Sequence, residues 1–288
     1  MTVATYAAAQ LLRVLPRARI TRAVGRLCDA QLPPRVASAI VRIYTRAYRV
    51  DLAEALEAEG FSSFDAFFTR RLRDGARLVC PDVDAVVSPA DGRIEAIGPV
   101  DLDGRLRIKG RDYRVHELIG DTEEARRYQG GQFVVVYLSP RDYHRVHAPV
   151  DGEVRRVRSM PGDLYPVNAI GERHVPSLFA KNRRVAIEID TATQGRVTVV
   201  MVGAMIVGRI TVSGIDARDV PVGLHAIDPP LQVGRGEEIG IFHIGSTAVV
   251  FVEPGACPFT RGIGPVRYGE PLADAAKAPR HTNGETAG

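Results

Sequence analysis

RVAIEIDTATQGRVTVVMV (184–202) holds two short runs rich in β-branched residues, 184–190 and 197–202, parted by a stretch of Thr, Gln and Gly. Runs of this kind bounded by turn formers read as strands. The texture repeats outward on both sides: 93–97, 132–138, 153–158, 209–212, 238–241 and 248–252 are further short runs between Gly, Pro and Asp turns. With 28 glycines and 19 prolines, the chain has turns enough for many strands. From residue 85 onward it therefore reads as a compact β-rich body, barrel-like or sandwich-like. Neither a GxGxxG fingerprint nor a P-loop occurs, which argues against a nucleotide fold. The balance of 45% hydrophobic and 25% charged residues over 288 positions excludes disordered, collagenous and disulfide-scaffold classes and permits a core without staples.

The front of the chain reads differently. Residues 1–16 are apolar and Ala-rich, 19–27 suit a short helix, and Pro33-Pro34 makes a good helix entry. Val36, Ile40, Ile43 and Ala47 then fall within about 60° of one another at ~100° per residue. Arg35, Arg42, Arg46 and Arg49 form their own stripe about 120° away. Two readings stay open: a helix packed on the body with solvated arginines, or an interfacial helix lying on anionic lipid. Residues 51–72 look helical again, with Phe61, Phe64, Phe67 and Phe68 on one side as core. The fold class expected is thus α+β, short N-terminal helices followed by the β-rich body.

Residues 1–50 carry nine arginines and a single acid, Asp29, a local net charge of +8 in a chain of +4. Such a head calls for an anionic partner, either nucleic acid or a membrane surface. Aromatics are not interleaved with these arginines apart from Tyr44 and Tyr48, which disfavours nucleic acid. No apolar run reaches the ~18 residues of a membrane span. The apolar stretch precedes the first positive charges, the reverse of a signal peptide. Cys28, Cys80 and Cys257 lack zinc or CxxC spacing and read as reduced thiols in a cytosolic setting. The division expected is a basic helical segment over 1–50, a catalytic domain over 51–272 and a loose tail over 273–288.

Three short segments carry residues for chemistry. SPADG (88–92) is a turn that presents Asp91; YHRVH (143–147) presents His144 and His147; GST (245–247) presents Ser246. The two histidines have no clear third partner for a metal, so no metal site is expected. Asp, His and Ser together are the parts of a nucleophilic triad. Ser246 lies outside any GxSxG elbow, and two uses are open. It attacks an external ester, as in a hydrolase, or it attacks the carbonyl of its own preceding residue, Gly245. The second is sterically plausible, because glycine leaves its carbonyl accessible and the tethered hydroxyl needs no bimolecular encounter.

The chain resembles the bacterial phosphatidylserine decarboxylases of the pyruvoyl-dependent, proenzyme type. The stretches that carry the resemblance are FSSFDAFFTRRLRDGAR (61–77), SPADGRI (88–94), YLSPRDYHRVHAPVDG (137–152), DLYPVN (163–168), VPSLFAKNRRV (175–185), VGAMIVGRI (202–210) and FHIGSTAVVF (242–251). Ile244 is a mild departure, as the family often has Leu or Gly there. The resemblance implies that Asp91 orients His147, that His147 deprotonates Ser246, and that the chain parts between Gly245 and Ser246. A β chain of residues 1–245 and an α chain from Ser246 would result, the α chain headed by a covalent pyruvoyl group derived from Ser246. That group would form a Schiff base with phosphatidylserine and act as the sink for decarboxylation to phosphatidylethanolamine and CO₂, the role otherwise played by pyridoxal phosphate. His144 is the candidate for returning a proton to Cα, with His147 the alternative. The resemblance further implies a peripheral enzyme on the cytoplasmic face of the cell membrane, docked on anionic lipid through its basic helix, with the cleaved chains as each other's partners and a homodimer as the assembly. The rival readings are a Ser-His-Asp hydrolase that stays intact, a pyruvoyl decarboxylase of a soluble amino acid, and a non-catalytic membrane-binding module.

Overall fold

A computed structural model describes residues 17–165, 167, 174–204, 209–243 and 246–273, with Ser246 described through its backbone. The expectations for 1–16, for Gly245 and for the tail beyond 273 fall outside the described residues.

Thirteen strands form among the described residues, most where the β-branched runs predict them: β1 (Gly92–Pro99), β2 (Arg105–Ile108), β3 (Arg111–Arg114), β4 (Gln132–Leu138), β5 (Arg145–His147), β6 (Gly152–Met160), β7 (Arg184–Asp190), β8 (Arg196–Val202), β9 (Arg209–Val212), β10 (Gly223–Val233), β11 (Glu238–His243), β12 (Ser246–Val252) and β13 (Gly264–Val266). An eight-stranded sheet runs β10-β6-β7-β8-β12-β4-β1-β13, and a three-stranded sheet runs β5-β11-β9. Every pairing between these strands is antiparallel. The class is α+β, and the body is sandwich-like with no closed barrel. Ile210, Val212, Ile239 and Phe242 of the small sheet share one core with Ile94, Val134, Val199 and Val249 of the large one. Gly240 lets the layers close up: a Cβ there would meet Met201 Sδ at 2.8 Å and the Thr211 carbonyl oxygen at 2.9 Å. β10 escapes a reading by run and turn because it contains Pro229 and Pro230. It lies at the sheet edge with an irregular register between Ala226 and Leu231, where missing ladder donors are tolerated.

The helices α1 (Arg17–Asp29), α2 (Pro34–Tyr48) and α3 (Phe64–Phe68) precede the sheets. α2 begins at the expected proline. Its predicted apolar stripe is not packed on the body. Val36, Ile40 and Ile43 are exposed, Ile43 to 70%, and so is Leu27 of α1. The buried face lies one residue step around the helix, at Ala37 and Val41. The helical reading of 51–72 is corrected to the five residues of α3. Gly60 takes a φ of +81°, and Ser63 starts the helix late by accepting the Ala66 N–H at 3.1 Å. At the other end the Thr69 hydroxyl donates to the Asp65 carbonyl at 2.8 Å, and Leu72 then bridges to Ala55. The phenylalanines do build core. Phe61, Phe67 and Phe68 join Val41 and Val50 in a second, smaller cluster beneath α2.

Gly92 opens β1 against β4 so tightly that a Cβ would stand 2.2 Å from the Tyr137 carbonyl oxygen. Gly92→Ala is expected to destabilise the fold by about 1–3 kcal/mol, the range of overpacked cores. Urea titration checks this, and an unchanged midpoint would remove the steric argument.

Candidate active site

Sheet register sets the frame of the site. Arg93, Tyr137, Thr247 and Val202 lie in one row across β1, β4, β12 and β8. Asp91 just precedes β1 and Ser246 opens β12, so both stand at the same end of the large sheet, two strand spacings or about 10 Å apart. Ser246 pairs with Leu138, the last residue of β4. The chain continues from Leu138 through residues 139–144 into β5, which lies on the other sheet. His144 therefore arrives at the junction of the two sheets, and His147 follows at the end of β5.

The connecting loop is pinned from several sides. Asp142 accepts from the Ser139 N–H and hydroxyl, both at 2.7 Å. The Tyr44 hydroxyl of α2 donates to the Pro140 carbonyl at 3.1 Å, and buried Arg70 donates to the Arg141 and Asp142 carbonyls at 3.2 and 3.3 Å. Arg145 donates to the Thr69 carbonyl at 2.8 Å and pairs with Glu238 at 2.6 Å. The stretch after α3 thus acts as a clamp on the histidine loop.

The two histidines have different surroundings. His144 is wholly buried, with its ring 4.0 Å from Phe68. Its Nδ1 donates to the Asp142 carbonyl at 2.8 Å, which leaves the lone pair on Nε2, and that atom has no partner among the described residues. Burial, with Arg70 nearby, pushes its pKa down to about 3. Its carbonyl accepts from the Phe242 N–H at 3.0 Å, which ties it to the strand leading toward Ser246. His147 sits further back along β11, opposite Glu238. Its Nδ1 donates to the Gly236 carbonyl at 2.8 Å and its Nε2 accepts from the Tyr143 hydroxyl at 3.2 Å. Burial lowers its pKa, opposed by the Gly236 bond and by the negative charges of Glu238 and Asp91.

Asp91 makes no hydrogen bond to His147 here. Its carboxylate is held by Arg77, at 3.0 Å from Nε and 2.5 Å from the terminal nitrogen, and by the Tyr268 N–H at 2.9 Å. The Tyr268 ring stacks on His147, centroids 3.7 Å apart and 3° from parallel. Asp91 thus reaches His147 through its charge and through the tyrosine whose backbone it fixes. Tyr268 lies beyond every motif, and no pattern in the sequence marks it. Arg77 and Tyr143 lie inside motifs, where the neighbouring acid and histidines give the stronger chemical signal. The side chain of Ser246 and all of Gly245 lie outside the described residues. A cavity of about 580 Å³ opens beside Asp91 and Tyr143, with Arg49, Arg70 and Arg141 in its wall. No group of three metal-ligating side chains occurs among the described residues.

A family profile for phosphatidylserine decarboxylase matches residues 64–274. The chain belongs to the phosphatidylserine decarboxylase family. It is 38% identical over 274 residues to a phosphatidylserine decarboxylase proenzyme of Anaeromyxobacter sp. (strain K), covering 92% of this chain and 97% of that one. It is 40% identical over 273 residues to the proenzyme of Pseudomonas aeruginosa, covering 90% and 94%. The proenzyme of Hahella chejuensis is 38% identical over 267 residues, covering 89% and 90%. The matched span takes in Asp91, both histidines and Ser246.

A folded-state pKa near 3 for His144 against 6.5 for the free side chain means that the unfolded chain binds the extra proton first. Stability is then expected to fall as pH drops below about 6.5, by up to ~1.4 kcal/mol per pH unit for each such histidine. Urea titrations between pH 7.5 and 5.5 measure the slope. His144→Gln should flatten it, and an equal slope in that variant would contradict the assignment.

Proposed function

We propose that this chain is a self-processing phosphatidylserine decarboxylase whose keto group comes from Ser246. The observation that carries the reading is the position of Ser246 as the first residue of β12, at the junction of the sheets, with buried His144 held just before β5 by the Phe242 N–H of β11 and its Nε2 without a partner among the described residues. In the proposed step the Ser246 hydroxyl loses its proton to a neutral imidazole, His147 by the family resemblance. Its oxygen attacks the Gly245 carbonyl carbon, the C–N bond breaks, and the nitrogen of residue 246 takes up the proton. Elimination of the Cα proton and the Gly245 carboxylate, then addition of water and loss of ammonia, leaves a chain ending at Gly245 and a ketone at 246. That ketone supplies an electron sink for the carbon losing CO₂.

The chain's own groups suit the other tasks. Burial keeps the His144 imidazole neutral with its lone pair on Nε2, so in the proposed reaction it returns to Cα a proton that it first receives within the site. The adjacent cavity is lined by six arginines, Arg49, Arg70 and Arg141 among them, and by the acids Asp51, Glu54, Asp91, Asp142 and Glu270, so it is only slightly cationic toward an anionic headgroup. β12 is laddered on both edges, to β4 and β8, and buries Val249, Val250, Phe251 and Val252. Each such side chain contributes about 1.5–3 kcal/mol, so the cut piece stays in place. Asp91 bound to Arg77 rather than His147 does not separate scission from an ordinary Ser-His-Asp hydrolase, since both use the same three residues; a cut chain does.

The lipid substrate fits the front of the molecule. Leu27, Val36, Ile40 and Ile43 stand exposed beside Arg35, Arg42 and Arg46. This composition suits a helix pair resting on anionic lipid. No described helix is long and apolar enough to cross a membrane.

Intact mass spectrometry of purified protein should find two fragments split between Gly245 and Ser246, the C-terminal one headed by a keto group. They should co-elute until denatured, while Ser246→Ala stays whole. An active, unbroken wild-type chain would overturn the reading. Separately, Ile40→Asp with Ile43→Asp should abolish sedimentation with phosphatidylserine-containing vesicles at low salt, and undiminished binding would refute the docking role.

A further inference from the structure

The end of β11 carries a histidine–carboxylate arrangement that none of the steps above uses. His243 Nδ1 lies 2.9 and 3.0 Å from the two carboxylate oxygens of Asp65 on α3. Its Nε2 lies 3.4 Å from the Thr211 hydroxyl on β9. Arg209, also on β9, pairs with Asp65 at 3.2 Å and grips both oxygens of Asp29 at the end of α1. Arg218 adds a contact to Asp29 at 2.9 Å. The side chains of His243, Asp65, Asp29 and Arg209 are only 13–18% exposed, so solvent screens this network poorly.

Its place in the chain gives the network a use. β11 ends at His243 in the three-stranded sheet, and β12 begins at Ser246 as an interior strand of the eight-stranded one. Only Ile244 and Gly245 lie between. The downstream post is held by the Ser246–Leu138 pairing. The upstream post is held by the His243–Arg209 pairing and by the grip of Asp65 on the imidazole. Attack by a tethered hydroxyl depends on near-attack geometry, and a displacement of about 1 Å costs on the order of 10²-fold.

We propose that His243, clamped by Asp65 and Arg209, is a positioning residue for chain scission. It fixes the upstream post and so sets the approach of the Ser246 hydroxyl to the Gly245 carbonyl. It takes no part in proton transfer at the reacting atoms. The clamp governs the formation of the keto group and not the turnover of an enzyme already cut. α1 reaches the same post through Asp29. The inference rests on the self-processing reading.

The test follows scission after cell-free synthesis of the full chain, by intact mass over time, and decarboxylation of phosphatidylserine vesicles per keto group formed. Asp65→Asn and His243→Phe should slow scission ~10-fold or more, with kcat per keto group within twofold of wild type. Asp65→Glu and His243→Lys keep a donor facing a carboxylate, and they should restore scission toward the wild-type rate. Thermal melts of all four identify any variant that fails to fold, and the two conservative variants then carry the comparison. Wild-type scission rates in both disrupting variants, or equal losses in scission and in turnover per keto group, would overturn the inference while leaving self-processing intact. A wild-type chain that never parts between Gly245 and Ser246 would remove both together.

Discussion

β12 is hydrogen-bonded along both edges, and its first residue is the serine on which the proposed chemistry turns. Upstream of it the chain belongs to the other sheet. The residues on either side of the crossing, His243 and Ser246, are each paired in a ladder, and neither can move without breaking it. The other features of the site follow from this junction. The loop after β4 has to pass it to reach β5, and it carries His144 there, with His147 following at the end of β5. The turn before β1 lies at the same end of the sheet and brings Asp91. In the proposed reaction a break at this point removes one covalent link from a strand held by two neighbours and a buried apolar face.

Arginine side chains hold the surroundings of the junction. Arg70 and Arg145 bond to backbone carbonyls of facing segments, and Arg77 takes the carboxylate of Asp91. A guanidinium keeps its charge when buried and presents several donors in a fixed fork, so it can strap loops that lack ladder partners. The histidines receive the opposite treatment. Each donates Nδ1–H to a carbonyl and keeps a neutral ring at physiological pH. Fixed positive charge holds the site together while the groups that could move protons stay uncharged.

The front helices serve two surfaces at once. α2 packs Ala37 and Val41 inward and anchors the histidine loop through Tyr44. It also leaves Val36, Ile40 and Ile43 outward beside its arginines. In the proposed docking, a helix that touches both a site loop and the solvent-facing apolar stripe would bring a lipid surface close to the site without crossing it.

Much of this was legible in the sequence. The runs at 132–138, 184–190 and 209–212 became strands with the expected bounds, because β-branched residues between turn formers specify extended backbone locally. The motifs around Asp91, His144, His147 and Ser246 identified the family, while the end of the sheet at which Asp91 and Ser246 stand follows from strand register. The helical period of α2 was readable, but which side of it faced the body was not, since two adjacent stripes were both apolar enough to pack. Partner choice was also beyond reach. Asp91 meets Arg77 and Tyr268, His147 meets Gly236 and Tyr143, and His243 meets Asp65. Most of these pairs join residues far apart in the chain, and they exist only because strand register and sheet packing bring them within hydrogen-bond range. Local sequence determined the elements and the chemical inventory; the tertiary structure decided which polar groups satisfy one another, since that depends on distances no linear pattern encodes.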